Sequence, residues 1–459
     1  MKQIKPFVLI SSILVLFSAC QSRQQSQEQA SRKLKVSNTP VPEWSKDAVI
    51  YEVNIRQYTP EGTFNAFAQH LPRLKELGVD ILWLMPIYPI GEKNRKGSLG
   101  SYYSIKDYKG INPEYGTLED FKALVQKAHE MDMKIILDWV ANHTAWDHPW
   151  INQHPDWYSK NEEGDIIPPV EDWTDVADLD YSNPNLREAM IDAMTYWVRE
   201  ADIDGFRCDV AGMVPVDFWE SARAALDSIK PVWMLAEDEA EISLLDNAFN
   251  ANYGWELHHI MNDVAKGDKN ALDVAAYFQK TDTLYPKGSW PMQFTSNHDE
   301  NSWNGTAPER LGNALKTMAA LTFTVEGMPL IYSGQEVGMD KRLRFFDKDT
   351  IEWKESDMTP FYQTLIKLKK ENPALWNGTA GGDLQIITTN APENIFAFVR
   401  EKENNLVIAV FNLSDKSVSL FAENGPKGVF TEIFSNGQME WPAKGILLQP
   451  WDFKIYIRK

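Results

Sequence analysis

Four strand-like apolar runs in this 459-residue chain share one feature: each ends in a polar cluster. They are Ile135-Ile136-Leu137-Asp138-Trp139-Val140-Ala141-Asn142-His143, Gly205-Phe206-Arg207-Cys208-Asp209-Val210-Ala211, Val232-Trp233-Met234-Leu235-Ala236-Glu237-Asp238, and Met292-Gln293-Phe294-Thr295-Ser296-Asn297-His298-Asp299. A parallel barrel with its site at the C-terminal face produces that pattern. In the second run Arg207 and Asp209 are two apart, so on a strand they face the same way. Burying an Arg beside an Asp is costly unless the two are paired or used. Taken alone, that heptapeptide reads equally well as a structural salt bridge.

The order of elements extends the constraint. Residues 48–53 read as a strand, followed by a helical stripe of Phe67, Leu71, Leu74 and Leu77 that Gly78 stops. Pro72 predicts a kink or a fresh helix start within it. Thr117-Leu118-Glu119-Asp120 resembles a helix N-cap ahead of Phe121, Leu124, Val125 and Ala128. Strand and helix alternate through about eight cycles, which implies a parallel sheet closed as a (β/α)8 barrel. Residues 143–184 show little periodicity and predict a small inserted domain after the third strand. After Asn372 the texture changes to short strands at 395–399, 406–411 and 453–457, which predict a C-terminal antiparallel β-sandwich over 372–459. The barrel is expected over 44–371.

A net charge of −19 argues against a nucleic-acid partner. Two cysteines exclude a disulfide framework. Cys208 reads as a small buried hydrophobe. Cys20 follows Lys2, Lys5, an apolar stretch from residue 7 to 17 and Ser18-Ala19, which is the pattern of a secretory signal. With Cys after Ser-Ala it resembles a bacterial lipoprotein signal over 1–20, in which Cys20 carries the lipid. Phe17 departs from the usual aliphatic residue, so cleavage without a lipid is the alternative. The Gln- and Ser-rich stretch 21–43 predicts a disordered tether. A lipid-anchored protein of the cell envelope follows, and Gln21 favours the outer membrane over inner-membrane retention.

In order along the chain, Asp138 to His143, Gly205 to Asp209, Glu237, and Asn297-His298-Asp299 resemble the four sequence regions of the α-amylase family, glycoside hydrolase family 13. Tyr103, Asp107-Tyr108, Pro113 to Thr117, and Asp178-Leu179-Asp180 add to the resemblance, which covers roughly residues 44–459. It implies a retaining hydrolase of α-1,4-glucosidic bonds in starch-derived α-glucans or maltooligosaccharides. A transglycosylase or isomerase working through the same intermediate is the alternative, and a non-catalytic glycan-binding lipoprotein a third.

Retaining glycoside cleavage needs two carboxyl groups, one a nucleophile and the other an acid that later serves as base. Their environments must separate their protonation states. Asp209 beside the cation Arg207 is expected to stay ionised and to be the nucleophile. Glu237, after an apolar run, is the acid/base candidate, and Asp299 the third carboxylate. The resemblance gives His143 and His298 as hydrogen-bond donors to sugar and Tyr103 as the ring beneath it. Asp138 is expected to be structural, and Glu336 and Asp238 have no assigned chemistry. The resemblance also implies calcium at Asn142 and Asp178, hydrogen bonding alone being the other reading. Gly212-Met213 stands where many α-amylases have Lys-His, which puts α-amylase-like subsite contacts in doubt. Trp146, Trp150 and Trp157 are either sugar platforms or packing of the insertion.

Overall fold

The computed structural model describes residues 35–422, 424–442 and 444–458. Cys20 and the signal segment lie outside them. Strands β1 (Ile50–Val53), β2 (Ile81–Leu84), β3 (Lys134–Trp139), β4 (His143–Ala145), β5 (Val176–Asp178), β6 (Gly205–Cys208), β7 (Trp233–Ala236), β8 (Ala251–Tyr253), β9 (Trp290–Gln293) and β10 (Met328–Tyr332) come first. Eight of them close a barrel in the order β1-β10-β9-β8-β7-β6-β3-β2, every pairing parallel. The barrel interior holds Ile50, Ile81, Trp83, Ile136, Leu235 and Met292, with helices packed outside.

Local chemistry sets the helix limits. Pro72 sits in the first turn of Leu71–Leu77, a fresh helix start rather than a kink, and left-handed Gly78 ends it. Thr117 and Asp120 form a reciprocal capping box at the start of Leu118–Glu130. The Asn297-His298-Asp299 cluster lies beyond the end of β9, not on the strand.

Between β3 and helix Pro184–Ala201, β4 and β5 pair antiparallel, with His143 opposite Asp178. Trp150 and Trp157 meet edge to face at 5.0 Å in this segment, and His154 stacks on Trp157. The packing role fits these two better than a sugar platform.

Residues 35–40, part of the stretch read as a tether, are held against the barrel. Val36 bridges to Lys287, and the Pro40 carbonyl accepts from Arg223 and from Asn250, each at 2.8 Å. Main-chain groups with partners on the barrel order this stretch although it has little to bury.

The C-terminal strands are β11 (Leu384–Ile386), β12 (Ile395–Lys402), β13 (Asn405–Asn412), β14 (Val418–Phe421), β15 (Gly428–Glu432), β16 (Gln438–Trp441), β17 (Lys444–Leu448) and β18 (Phe453–Arg458). Six form an antiparallel sheet in the order β11-β12-β13-β18-β15-β16, and β14 pairs with β17. Period-two alternation splits the large sheet. Ile408, Val410 and Tyr456 meet Leu420 and Leu448 of the small sheet, whereas Phe396, Phe398, Ala409 and Phe411 join the barrel's outer core. At this joint Arg400 donates to the carbonyls of Val325 (2.7 Å), Gly382 (2.8 Å) and Trp376 (3.0 Å).

Candidate active site

The site gathers around Arg207, the inward residue of β6, which is fully buried. Its neighbour Gly205 has no substitute, because a Cβ there would come within 1.8 Å of the Trp233 carbonyl oxygen. That close approach lets β6 lie against β7 and sets Arg207 facing Glu237. One guanidinium nitrogen, Nη1, donates to Asp138 Oδ1 at 2.9 Å and to Asp209 Oδ1 at 3.0 Å. Nη2 lies 2.7 Å from Glu237 Oε1, and Nε donates to the Tyr253 hydroxyl at 3.0 Å. Asp138 completes its shell with the Trp83 indole N–H and the Tyr103 hydroxyl, each at 3.1 Å. Held by three donors and out of contact with solvent, Asp138 is the structural member of the set.

Directly after Asp209 the backbone turns through Val210 at φ +36°. A β-branched residue in that region is strained, and such strain clusters at functional sites. The turn points the Val210 amide at Glu237 Oε2, 2.8 Å away. Asp209 and Glu237 are thereby fixed relative to each other by one guanidinium and one main-chain N–H.

Three buried carboxyl groups share one cation, so their proton affinities rise. Burial pushes Glu237 up to about 8, against the pull of Arg207 and with Asp209 and Asp299 adding to the rise. For Asp209, burial outweighs Arg207 and lifts the carboxyl to about 6. The cation therefore limits the rise rather than lowering the value below the ordinary range, as reasoning from Arg207 alone would have it. The order Glu237 above Asp209 gives one protonated and one ionised carboxyl at neutral pH.

His298 connects the remaining groups. Its Nδ1 is 2.5 Å from Glu52 Oε1, and its Nε2 is 2.7 Å from the Tyr103 hydroxyl and 3.3 Å from Asp299 Oδ2. Burial disfavours its charge, but Asp299 and Glu52 outweigh that and raise it to about 9. An imidazolium donates from both nitrogens, so in this arrangement His298 orients Tyr103 and Asp299. Asp299 is the most exposed of the carboxylates, with 37% of its side chain open. His143 is buried beside the Tyr103 main chain and kept neutral, burial pulling it down to about 3.

Sequence reasoning did not single out Glu52, Tyr253 or Trp83. The signal for Glu52 was an acid inside the apolar strand 48–53, a position that needs a partner when buried. Buried Glu336 accepts from Tyr51 at 2.5 Å and lies 2.9 Å from Arg73, an ion pair outside this cluster.

Asp178 ends β5 and Asn142 directly precedes β4, its carbonyl accepting from the Leu179 amide at 3.1 Å. Asp178 is half-buried, and burial together with Asp180 raises its carboxyl. An acid with a second acid nearby is suited to a hard cation. Two side-chain oxygens supply part of the six to eight that calcium takes, and among the described residues no group of three His, Cys, Asp or Glu converges on a metal position.

Residues 28–382 match the family model for the α-amylase catalytic domain, and residues 384–455 match that for the maltogenic amylase C-terminal domain. The chain is similar to the crystal structure of a maltogenic α-amylase from Thermotoga neapolitana, with TM-score 0.82 and 32% identity over 90% of this chain and 99% of that one. An α-amylase from Lactobacillus plantarum gives TM-score 0.82 and 33% identity over 91% of this chain and all of that one. A curated relative, the α-amylase MalA of Haloarcula japonica, is 28% identical across 84% of this chain, which spans 58% of that relative's length.

Proposed function

Since the chain belongs to the α-amylase family, we propose that it cleaves α-1,4-glucosidic bonds in α-glucans or maltooligosaccharides with retention, through Asp209 and Glu237. The observation that carries this is the shared guanidinium: both carboxyls touch Arg207, and burial raises Glu237, to about 8, further than Asp209, to about 6. Asp209 attacks the anomeric carbon as Glu237 delivers its proton to the departing glycosidic oxygen. A glycosyl ester on Asp209 results. Glu237, now ionised, takes a proton from water, whose oxygen attacks the same carbon and releases Asp209. Asp299, oriented by His298, stabilises the oxocarbenium-like transition state and holds ring hydroxyls. Tyr103 lies beneath the sugar, and His143 donates to it. Maltogenic and other amylases among the similar structures support the substrate class.

The test is product analysis on maltoheptaose and pullulan with Asp209→Asn alongside. Glucose or short maltooligosaccharides from the wild type alone would bear out hydrolysis. Longer chains or trehalose would move the protein to transfer or isomerisation, and no turnover would overturn the reading.

We also infer a lipid anchor at Cys20 in the outer membrane, supported by the signal pattern of residues 1–20. Fatty-acid labelling that persists in Cys20→Ala would refute it. Calcium at Asn142 and Asp178, completed by main-chain carbonyls, is proposed as a structural ion. Chelation should then lower the melting temperature of the wild type but not of Asp178→Asn.

A further inference from the structure

After Asp299 the chain forms a single π-helical turn, Glu300–Asn304. Such irregular turns gather at functional sites. This one is locked to the loop that follows β10. Buried Asn301 accepts from the Leu343 amide at 2.8 Å and donates to the Lys341 carbonyl at 3.1 Å. Ser302 donates to the Leu343 carbonyl at 2.9 Å. From below, His258 lies 3.1 Å from Glu300, and Asn304 donates to the same carboxylate at 2.9 Å. Turn and loop form one rim piece, and it carries Trp303, Phe345 and Phe346.

Tyr103, His298 and Phe345 have ring centroids 5.5, 6.2 and 6.3 Å apart, with interplanar angles of 21°, 14° and 30°. In a column the outer pair would stand about twice as far apart as neighbours, given ordinary ring spacings. Three nearly equal distances rule out a single column and make the rings one compact cluster of near-parallel, mutually offset faces. Met85, Ile90 and Tyr102 pack against Tyr103 and Phe345. Trp303 extends the cluster outward, 5.3 Å from Phe345 and 5.7 Å from Phe346, its plane tilted by 41° and 56° to theirs and 52% of its surface exposed. A single exposed apolar residue means little. This indole is different because it is continuous with the ring beneath the cleavage position.

We propose that Trp303 and Phe345 bind the glucosyl unit next to the one over Tyr103, the indole taking the apolar C–H face of that pyranose. The proposal rests on the reading of Asp209, Glu237 and Asp299 as an α-glucosidic site. An exposed indole face beside such a cluster selects a ring over a linear polyol or an anion, and makes recognition depend on a second sugar.

Calorimetric titration of maltohexaose into Asp209→Asn tests it, alone and combined with Trp303→Ala, Trp303→Leu, Trp303→Phe or Phe345→Leu. We expect Trp303→Ala and Trp303→Leu to raise Kd about tenfold, Phe345→Leu to raise it several-fold, and Trp303→Phe to restore most of the affinity, a stacking-sized effect. Affinities within twofold for all variants would overturn the proposal. So would an equal loss in Trp303→Phe, which would mark a packing role. If folded Asp209→Asn alone bound no maltohexaose, the α-glucan reading itself would fail, a result that needs no Trp303 variant.

Discussion

Of the fully buried arginines, Arg207 and Arg400 have opposite surroundings. Arg207 faces carboxylates: Asp138, Asp209 and Glu237 lie within 3.0 Å of its guanidinium. Arg400, at the joint between barrel and C-terminal sheet, donates to main-chain carbonyls, those of Val325, Gly382 and Trp376 among them. Acids outnumber the cation around Arg207, so a proton must stay, and Glu237 keeps it. Around Arg400 burial pulls the guanidinium down to about 10 against the opposing charges of Glu326 and Asp383, and it remains a cation solvated by dipoles. The first arrangement creates reactive groups whose charges depend on one another. The second joins two layers without creating any. Burial of an arginine therefore says nothing about its role until its partners are named.

The sharpest way to break this contrast is to remove the reactive group and leave the cation. Asp209→Asn should lower kcat on maltoheptaose at least ~10³-fold, while the melting temperature holds or rises, because burial opposes that carboxylate's charge. Removing the cations comes next. Arg207→Met should abolish activity and cost about 3–5 kcal/mol in denaturant unfolding, since its acids are left uncompensated. Arg400→Met should cost about 1–3 kcal/mol through stranded carbonyls, with kcat within about twofold of wild type. Loss of activity in folded Arg400→Met would show that the joint reaches the site. A finer test is pH. The kcat/KM profile should rise as Asp209 ionises near 6 and fall as Glu237 loses its proton near 8. Residual activity in Glu237→Gln should lack the alkaline limb. The smallest effect concerns His298, raised to about 9 in the fold. A raised value stabilises the fold fully below the unfolded value of about 6.5, and the gain is lost as pH rises through about 9. Melting temperature should therefore fall over that window in the wild type, by a few degrees, and fall less in His298→Gln.

The site arginine was legible in the sequence and the joint arginine was not. Arg207 interrupts an apolar run two positions before Asp209, and period two puts both on one face. Arg400 ends the apolar stretch 395–399 as a strand boundary does, and its partners are carbonyls, which every residue has. The same logic separates Glu237 from Glu52. Glu237 ends an apolar run, a place that reads as the barrel mouth, whereas Glu52 sits within a strand whose partner, His298, is distant in sequence. The eight-stranded closure followed from alternation, and the antiparallel C-terminal sheet from the change in texture after Asn372. The short strands β11 and β14 to β16 escaped notice because partly exposed strands carry no long apolar run. Asp209's acidity was misjudged for a physical reason: a neighbouring cation is visible in sequence, and the depth of burial is not.

The segment from Lys35 to Pro40 gives the molecule a front and a back. It is fastened beside Lys287, Asn250 and Val232, residues that precede β9, β8 and β7, and so runs across the end of the barrel remote from Asp209. Lys35, the first described residue, lies at that rear end. The mouth that holds Asp209 opens on the opposite side, so a long polymer approaches it without crossing the segment from Lys35 to Pro40.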